Sequence, residues 1–340
     1  MKVILIRLCI FSISLFCASL ALIRLFVRWI INPTKNIFKA KERKDPPACL
    51  LDSNIGDHRY IKLKDVKLHY VEKGDKSKPL MLFLHGFPEF WYSWRHQMKE
   101  FSKDYWTVAV DLRGYGDSDK PEGLDKYRKS ILVDDVKQLI EGLGRNKCIL
   151  VAHDWGGVIG WRFAALYPEM LEKFIVMNAP PEKAYYEVAV KHKKQIFMSW
   201  YIFFFQLPYL PELVLRSEDM IGFNVLRYRN KKNIVTDEDI EAYKYTFGKE
   251  GAWTAPINYY RANIFNVLHK KPNPKQSPNI TVPTLLIWGD KDLYLDERIV
   301  GYSKKYVNDL TIEIIKDANH FVQQDDPKGT NEAMRRYLEY

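Results

Sequence analysis

The sequence predicts an α/β fold with a mostly parallel sheet of eight strands and helices on both faces. From about residue 58, short β-rich runs alternate with stretches of helical pattern, which is the order expected of repeated strand–helix units. Several runs are apolar at every position, as in Leu80–Leu84, and such strands are typical of a parallel sheet covered on both faces. The alternation fails between 182 and 270, which predicts a helical insertion.

The individual elements follow from these patterns. The predicted strands are Tyr60–Leu63, Val66–Val71, Leu80–Leu84, Thr107–Val110, Ile149–Ala152, Phe174–Met177, Thr284–Trp288 and Ile312–Ile315. The predicted helices are Trp91–Phe101, Leu132–Leu143, Val158–Tyr167, Glu297–Tyr306 and Glu332–Tyr340. We therefore expect a core of residues 55–181 and 271–340, with an aromatic-rich helical cap of residues 182–270 inserted into it.

An apolar segment opens the chain and predicts a single-pass transmembrane anchor over residues 1–32. Residues 8–23 carry no charge, and apolar residues continue past two arginines to position 31, enough to cross a hydrocarbon core of about 30 Å. The alternative is a cleaved signal peptide, with Ser19 and Ala21 as the small residues of its cleavage site. Residues 33–54 contain prolines among lysines and predict a linker.

The formal net charge of +10 is concentrated beside this segment. Residues 1–45 hold nine Lys and Arg against two acidic residues, so they carry +7 and the remaining chain only +3. This distribution favours membrane lipid as a partner and argues against nucleic acid. More basic residues follow the apolar run than precede it, which predicts a body on the cytosolic side. We expect the membrane to be that of the endoplasmic reticulum. A glycosylation sequon at Asn279 points the other way.

The four cysteines do not predict a disulfide framework. Two of them lie in the apolar segment, and Cys148 lies in a run expected to be a buried strand. No Cys/His cluster has the spacing of metal ligands. We expect neither a metal nor a cofactor.

The segment Ile149–Gly157 reads ILVAHDWGG and has the pattern of a nucleophile elbow. An apolar strand runs into a turn with small residues, Ala152 and Gly156, on either side of Asp154, and a helix follows. A carboxylate at the apex is suited to displace a leaving group at sp³ carbon and form an ester that water then cleaves, as with epoxides or alkyl halides. The alternative interpretation is an aspartate that only caps the helix.

Four motifs in this sequence occur together: HGFPE at 85–89, WYSWRHQ at 91–97, DLRGYGDSD at 111–119 and HDWGG at 153–157. With them the chain resembles, over roughly residues 55–340, the epoxide hydrolases of the α/β-hydrolase superfamily, especially the membrane-anchored animal members. The resemblance implies the α/β-hydrolase fold and the conversion of lipophilic epoxides to vicinal diols without a cofactor. It also implies a role in lipid metabolism or detoxification.

The resemblance assigns roles to matching residues. Asp154 is the nucleophile, and Asp292, in a WG-x-x-D pattern, is the acid that orients the base; Asp290 competes for that assignment. His320 is the base, which gives the order nucleophile, acid and histidine along the chain. The residue before this histidine is often glycine in related sequences and is Asn319 here.

The remaining assignments concern the oxyanion and the substrate. Backbone N–H groups of Phe87 and Trp155 are expected to form the oxyanion hole. Tyr201 and Tyr260 of the cap are expected to donate hydrogen bonds to the epoxide oxygen, and Tyr259 is the nearest alternative. The residues expected to line the substrate pocket are His85, Pro88, His153, Phe204 and Phe205, and for the two histidines a structural role is the alternative.

In the implied mechanism, Asp154 opens the epoxide and forms an ester, which water activated by His320 and Asp292 then hydrolyses. Because the base must be neutral, activity is expected to fall below about 6.5, the ordinary pKa of histidine. One alternative is a haloalkane-type dehalogenase with the same aspartate nucleophile. Another is a protein of the same fold that binds a ligand without turnover.

Overall fold

The computed structural model describes residues 2–33, 36–38, 40–227, 234–269 and 279–339. One sheet of eight strands forms the centre, in the order β1-β2-β4-β3-β5-β6-β7-β8. The strands are β1 (Asp57–Lys62), β2 (Lys67–Lys73), β3 (Leu80–Leu84), β4 (Trp106–Val110), β5 (Cys148–His153), β6 (Leu171–Met177), β7 (Thr284–Gly289) and β8 (Leu310–Ile315). Strand β2 pairs antiparallel with β1 and β4, and the other neighbours pair in parallel. The predicted mostly parallel eight-stranded sheet is confirmed.

The burial of each strand explains its sequence pattern. Strands β3, β4, β5 and β7 are buried at every position, so both of their faces need apolar side chains. Strand β8 lies at the edge and alternates between half-buried and exposed positions. The motifs that follow β3 and β5 therefore begin at the carboxyl ends of fully packed strands, where α/β proteins bind their ligands.

Thirteen α-helices occur among the described residues. They are α1 (Lys2–Ile31), α2 (Arg95–Phe101), α3 (Lys129–Gly142), α4 (Asp154–Leu166), α5 (Glu182–Lys191), α6 (Lys193–Met198), α7 (Trp200–Phe204), α8 (Leu210–Met220), α9 (Asp237–Gly248), α10 (Thr254–His269), α11 (Arg298–Ser303), α12 (Val322–Asp325) and α13 (Pro327–Leu338). Helix α8 leaves helical geometry at Ser217, Glu218 and Asp219.

Several predicted helix boundaries are wrong for local reasons. Helix α4 begins at the turn residue Asp154, four positions before the predicted Val158, because the elbow leads directly into it. The last helix begins at Pro327 because the Asp326 side chain caps it by accepting a hydrogen bond from the Gly329 N–H. Its predicted final residue, 340, lies outside the described residues.

Helices α5 to α10 stand between β6 and β7 and are called the cap below. The predicted boundary between 270 and 271 lies outside the described residues. The cap is tied to the core by Asp239 on α9, which accepts a hydrogen bond from the Tyr92 hydroxyl at 2.8 Å and pairs with Arg95 at 3.1 Å. Asp239 also completes a capping box with Thr236.

Helix α1 is long and apolar enough over Ile10–Ile31 to cross a membrane, with a mean hydropathy of 2.2. By length and composition it suits either an anchor or a signal sequence. It lies against α7 of the cap, where the Ser14 hydroxyl donates to the Phe203 carbonyl at 2.6 Å. Farther along, Arg28 lies 3.6 Å from Glu218. Most of its large apolar side chains are exposed, Phe16 by 64%.

Candidate active site

The turn between β5 and α4 has the geometry of a nucleophile elbow. Asp154 has a φ of 46°, a strained value for a residue with a side chain. A Cβ at Gly156 would lie 2.2 Å from the Leu84 carbonyl oxygen, and one at Gly86 would lie 2.4 Å from the Asp154 Cβ. Glycine is required at both positions because β3 and its following loop pass so close to the turn. The elbow thus lifts the Asp154 carboxylate above the sheet.

Both carboxylate oxygens of Asp154 face groups that favour the charged form. The Phe87 N–H donates to Oδ1 at 2.7 Å, and Oδ2 lies 3.4 Å from His320 Nε2. Trp155 lies in the first turn of α4, where backbone N–H groups have no partner within the helix. Burial opposes ionisation, but His320 and the Phe87 N–H outweigh it and lower the pKa of Asp154 from its ordinary value.

Asp292 holds the other side of His320. Its Oδ2 lies 2.7 Å from His320 Nδ1, and its Oδ1 accepts hydrogen bonds from the Tyr294 and Leu295 N–H groups at 2.7 and 3.0 Å. Asp290, the competing candidate, instead accepts a hydrogen bond from the Asp317 N–H at 2.7 Å. The structure therefore brings Asp292, and not Asp290, to the histidine.

Asn178 is a site residue that the sequence interpretation missed. Its Nδ2 donates to Asp292 Oδ2 at 2.7 Å, and its Oδ1 accepts from the Gly289 N–H at 3.0 Å. It follows directly after β6 and has a φ of 41°. A lone amide after a buried apolar strand was the available signal, because the carboxyl ends of parallel strands share one edge of the sheet.

His320 has a strongly perturbed pKa. Burial lowers it, but the negative charges of Asp292 and Asp154 and their contacts with the ring outweigh burial and raise the pKa to about 10. The free site therefore holds an imidazolium between two carboxylates. The raised pKa differs from the ordinary value that was expected, because the ring lies between the Asp154 and Asp292 carboxylates.

Tyr201 on α7 and Tyr260 on α10 face the same cavity as Asp154. Their ring centroids lie 5.9 Å apart. Burial and then the negative charge of Asp154 raise the pKa of both phenols well above the ordinary value, so both remain proton donors. Tyr259 is buried and donates its hydroxyl hydrogen to the Arg113 carbonyl at 2.7 Å, a structural role. The geometry favours Tyr260 over its neighbour.

A cavity of about 190 Å³ begins at Asp154. The predicted residues among those that line it are Asp154, Trp155, Tyr201 and Tyr260. The five predicted pocket residues, His85, Pro88, His153, Phe204 and Phe205, are not in its wall. Phe205 instead packs behind the tyrosines, with its ring 5.1 Å from that of Tyr260. Phe204 is buried beside Phe205, and Pro88 is half-buried in the loop after β3.

The two predicted pocket histidines are occupied by buried hydrogen bonds. His85 Nε2 accepts from the Leu112 N–H at 3.1 Å, and burial lowers the pKa of this histidine. His153 contacts Glu89 Oε2 through Nδ1 at 2.6 Å and the His320 carbonyl through Nε2 at 2.8 Å. These contacts explain why both rings lie beneath the site.

Glu89 is a second residue whose position the sequence interpretation did not foresee. Besides His153, it accepts hydrogen bonds from the Gly86 N–H at 2.9 Å and from the amides of Gln323 and Gln324 at 2.8 and 3.0 Å. One buried carboxylate thus connects the HGFPE motif, the end of β5 before Asp154 and the segment that follows His320.

Within the described ranges, no group of three or more His, Cys, Asp or Glu side chains is arranged to hold a metal ion. Comparison with known proteins assigns the chain to a family. The model of the alpha/beta hydrolase fold matches residues 79–327. The chain belongs to the α/β-hydrolase family.

Among α/β-hydrolases, the chain is similar to several animal proteins. It is 41% identical to epoxide hydrolase 4 of Mus musculus, over 95% of this chain and 90% of that protein. It is 42% identical to epoxide hydrolase 3 of Xenopus tropicalis, over 92% of this chain and 86% of the relative. These similarities extend beyond the catalytic motifs to nearly the whole chain.

Solved structures of α/β-hydrolases are also similar to this chain. The epoxide hydrolase of Bacillus megaterium in complex with an inhibitor is 37% identical, with a TM-score of 0.77, and the match covers 83% of this chain and all of that one. An epoxide hydrolase from Vigna radiata is 28% identical, with a TM-score of 0.73, covering 85% of this chain and 99% of the other.

Proposed function

We propose that this protein is an epoxide hydrolase that converts lipophilic epoxides to vicinal diols through a covalent ester on Asp154. The observation that carries the proposal is that Asp154 and two phenols, buried Tyr260 and half-buried Tyr201, line one largely apolar cavity. Opening an epoxide needs both a nucleophile and hydrogen-bond donors, because one ring carbon is attacked while the ring oxygen gains negative charge. The similarity to named epoxide hydrolases supports the same reaction.

In the first step, a carboxylate oxygen of Asp154 attacks a ring carbon and the carbon–oxygen bond of the epoxide breaks. Tyr201 and Tyr260 donate hydrogen bonds to the developing alkoxide, which becomes a hydroxyl. The negative charge of Asp154 is lost as the ester forms. His320 then has one carboxylate neighbour in place of two, and its pKa falls. The proton that His320 releases balances the proton that the alkoxide gains.

In the second step, neutral His320 takes a proton from water while Asp292 and Asn178 hold the ring in place. The hydroxide attacks the carbonyl carbon of the Asp154 ester. The Phe87 and Trp155 N–H groups stabilise the resulting oxyanion, and the ester bond breaks. The diol leaves with its hydroxyl proton restored, and Asp154 is again a carboxylate beside an imidazolium.

A single turnover in water labelled with heavy oxygen tests the covalent step. With enzyme in excess over a simple lipophilic epoxide, we expect the first diol to carry unlabelled oxygen and the label to enter Asp154. Labelled diol formed directly would rule out Asp154 as the nucleophile. Turnover of alkyl halides without turnover of any epoxide would instead identify a dehalogenase, and no turnover of either would favour a binding protein.

We also propose that residues 1–32 form a single-pass membrane anchor and 33–54 a linker. The core of 55–181 and 271–340, with the cap of 182–270, then lies on the cytosolic side of the endoplasmic reticulum. The exposed apolar side chains of α1 and the excess of basic residues after it support this topology. A helix that crosses a bilayer cannot keep its contacts with α7, so α1 leaves the cap in this arrangement. Lipophilic epoxides of lipid metabolism or of foreign compounds would reach the enzyme there.

Glycosylation of acceptor sites tests the topology in full-length protein made with microsomes. We expect an acceptor tripeptide added before Met1 to be glycosylated and the natural sequon at Asn279 to remain unmodified. Modification of Asn279 alone would place the body in the lumen and contradict the proposed orientation. Release of a shortened chain into the soluble fraction would identify a signal peptide.

A further inference from the structure

Two consecutive helices of the cap, α6 and α7, present an exposed face that combines a lysine with large apolar side chains. Four of their residues stand at positions i, i+3, i+4 and i+7, the spacing of one helical face. They are Lys193, Ile196, Phe197 and Trp200, and we call them the docking face. Lys193 is exposed, as are Ile196 by 45%, Phe197 by 74% and Trp200 by 51%. Large apolar side chains exposed next to one another are typical of a binding surface.

The opposite side of these two helices is fixed to the rest of the protein. Gln195 and Ser199 are buried there. The Gln195 side chain donates to the Tyr294 carbonyl at 3.0 Å and accepts from the Asp296 N–H at 2.8 Å. The Ser199 hydroxyl lies 2.8 Å from the hydroxyl of Tyr185. Because these buried contacts set the rotation of the helices, the apolar side chains of the docking face cannot turn inward.

The docking face lies beside the N-terminal helix. Cys17 Sγ of α1 lies 3.9 Å from the Trp200 carbonyl oxygen, and Arg24 of α1 lies 3.9 Å from Glu218 on α8. The seven residues from Cys17 to Arg24 advance about 10 Å along a helix, so Trp200 and Glu218 lie on the same side of the cap. When α1 crosses a membrane, as proposed above, this side of the cap loses its cover.

The segment after α1 keeps this side of the cap close to the membrane. The Ile37 carbonyl accepts a hydrogen bond from the Glu218 N–H at 2.7 Å, and the Ile37 side chain is buried. Arg43 pairs with Asp219 at 2.8 Å, and its side chain is only 8% exposed. The apolar span ends at Ile31, and the six residues from there to Ile37 reach at most about 20 Å. While these contacts hold, the bilayer surface therefore lies within about 20 Å of Glu218.

The charge of the segment suits an anionic lipid surface. Residues 190–200 contain three lysines and no acid, and the first of the three pairs with a glutamate of α5 at 3.3 Å. The other two, Lys193 and Lys194, are exposed. Arg298, by its hydrogen bond, and then Lys194, by its charge, lower the pKa of buried Asp296, so the acid that Lys194 faces already has a cation as its partner. Lysines beside exposed aromatic side chains are typical of helices that lie on anionic lipid.

We propose that the docking face binds the surface of an anionic phospholipid bilayer, so that the cap rests on the membrane in which α1 is anchored. Phe197 and Trp200 enter the boundary between headgroups and acyl chains, and Lys193 pairs with lipid phosphate. Helix α7 also carries Tyr201 and Ile202, which line the cavity, so docking brings one wall of the cavity to the bilayer. The proposal rests on the proposed membrane anchor and not on the proposed reaction.

Quenching of tryptophan fluorescence tests this contact in the full-length protein. The protein is reconstituted into vesicles of phosphatidylcholine and phosphatidylserine with brominated acyl chains, which quench tryptophan at contact, and into the same vesicles without bromine. Of the fluorescence that Trp200→Phe removes, we expect about half or more to be quenched by bromine. Trp200→Phe keeps an aromatic ring at an exposed position, so the comparison does not depend on a disruptive substitution.

A second tryptophan provides the matched control. Leu166→Trp, made in the Trp200→Phe protein, adds an exposed ring at the last residue of α4. Since α4 begins at Asp154 beneath the cap, its last residue lies toward the opposite edge of the sheet. Less than about a tenth of the added fluorescence should be quenched.

Charge reversal tests the part played by the lysines. Lys193→Glu together with Lys194→Glu should reduce the quenching of Trp200 about threefold or more at low salt, because two cations beside an anionic surface become anions. Lys103→Glu together with Lys147→Glu is the matched control. These two lysines are exposed and precede β4 and β5, at the edge of the sheet opposite to the cap, so their reversal should leave the quenching unchanged.

Failure of docking and failure of the anchor give different results. If the protein stays in the vesicles through an alkaline carbonate wash while Trp200 is not quenched, docking is overturned and the anchor stands. A docking face covered by a second copy of the chain would give that result. Equal quenching of the two tryptophans, or quenching of Trp200 that survives the reversal of both lysines, would also overturn the proposal. Release of the protein by the wash would overturn the anchor, and docking with it.

Discussion

The core half and the cap half of the candidate site are held by different interactions. On the core, Asp292 receives three hydrogen bonds besides its contact with His320, and Asp154 is held by the Phe87 N–H. On the cap, Tyr260 is packed among aromatic rings, 5.0 Å from Trp155 and 5.3 Å from Phe87. Hydrogen bonds fix direction, whereas ring packing fixes position and shape. The core carboxylates are therefore held in direction by hydrogen bonds, whereas the cap phenol Tyr260 is held in place by the rings around it.

The largest loss of activity is expected when the proposed nucleophile of the core is removed. Asp154→Ala should reduce kcat by about 10⁴-fold or more, because no other core carboxylate can form the ester. Steady-state diol formation measures the loss. Asp290→Asn is the matched control; it lies on the neighbouring turn and should change kcat by no more than about twofold. A large effect of the control would indicate that Asp290, and not Asp292, is the acid that orients His320.

Removal of the base should separate the two steps. His320→Gln should allow one equivalent of epoxide to react, more slowly because water must supply the proton that His320 otherwise releases to the alkoxide. The reaction should then stop, because the Asp154 ester forms but water is not activated. Mass spectrometry of the intact protein should detect an adduct with the mass of the epoxide. Continued turnover of this variant would exclude His320 as the base of the second step.

The cap half should respond more moderately. Tyr201→Phe and Tyr260→Phe should each slow ester formation by about 10- to 100-fold, since each removes one donor to the developing alkoxide while the other remains. Rapid-quench measurement of the first step checks this. Tyr259→Phe should leave that rate nearly unchanged but reduce stability by about 1–3 kcal/mol, because it orphans the buried Arg113 carbonyl. The opposite pattern would make Tyr259 the donor.

Removal of the hydrogen bond from Asn178 to Asp292 should have a smaller effect on activity. Asn178→Ala should slow hydrolysis of the ester by about tenfold, because Asp292 and His320 lose a fixed direction. Asn308→Ala, at an exposed surface position, is the control and should have no effect on that rate. If ester formation slowed and ester hydrolysis did not, Asn178 would serve the nucleophile.

The smallest change to the protein is a change of pH, which tests the charges of Asp154 and His320 without a substitution. The free site reacts as ionised Asp154 beside protonated His320, with one pKa lowered below its ordinary value and the other raised to about 10. We expect kcat/KM to be level between about pH 5 and 9 and to fall as pH rises through 10. Ester hydrolysis, measured in a single turnover, should instead weaken toward acid, because it needs neutral His320. A fall of kcat/KM near pH 6.5 would contradict the raised pKa.

Much of the fold, and the type of chemistry proposed for the site, could be predicted from local sequence. Apolar runs such as Leu80–Leu84 are buried strands wherever the sheet is covered, so the central strands β3, β4, β5 and β7 were predictable from them. The elbow at Asp154 was predictable because its close approach to β3 tolerates only glycine at Gly156. Boundaries were less accurate, as at Pro327, since a cap is a side-chain contact and not a periodicity.

By itself, therefore, the sequence determined the mostly parallel sheet, the aspartate at the apex of the elbow and an apolar N-terminal helix, because each depends on neighbours within a few residues. Tertiary structure alone decided which residues line the cavity, the place of Asn178 beside Asp292 and the exclusion of His153 from the cavity wall. It also decided the raised pKa of His320, because electrostatic energy depends on distance in space, and Asp154 lies far from this histidine along the chain.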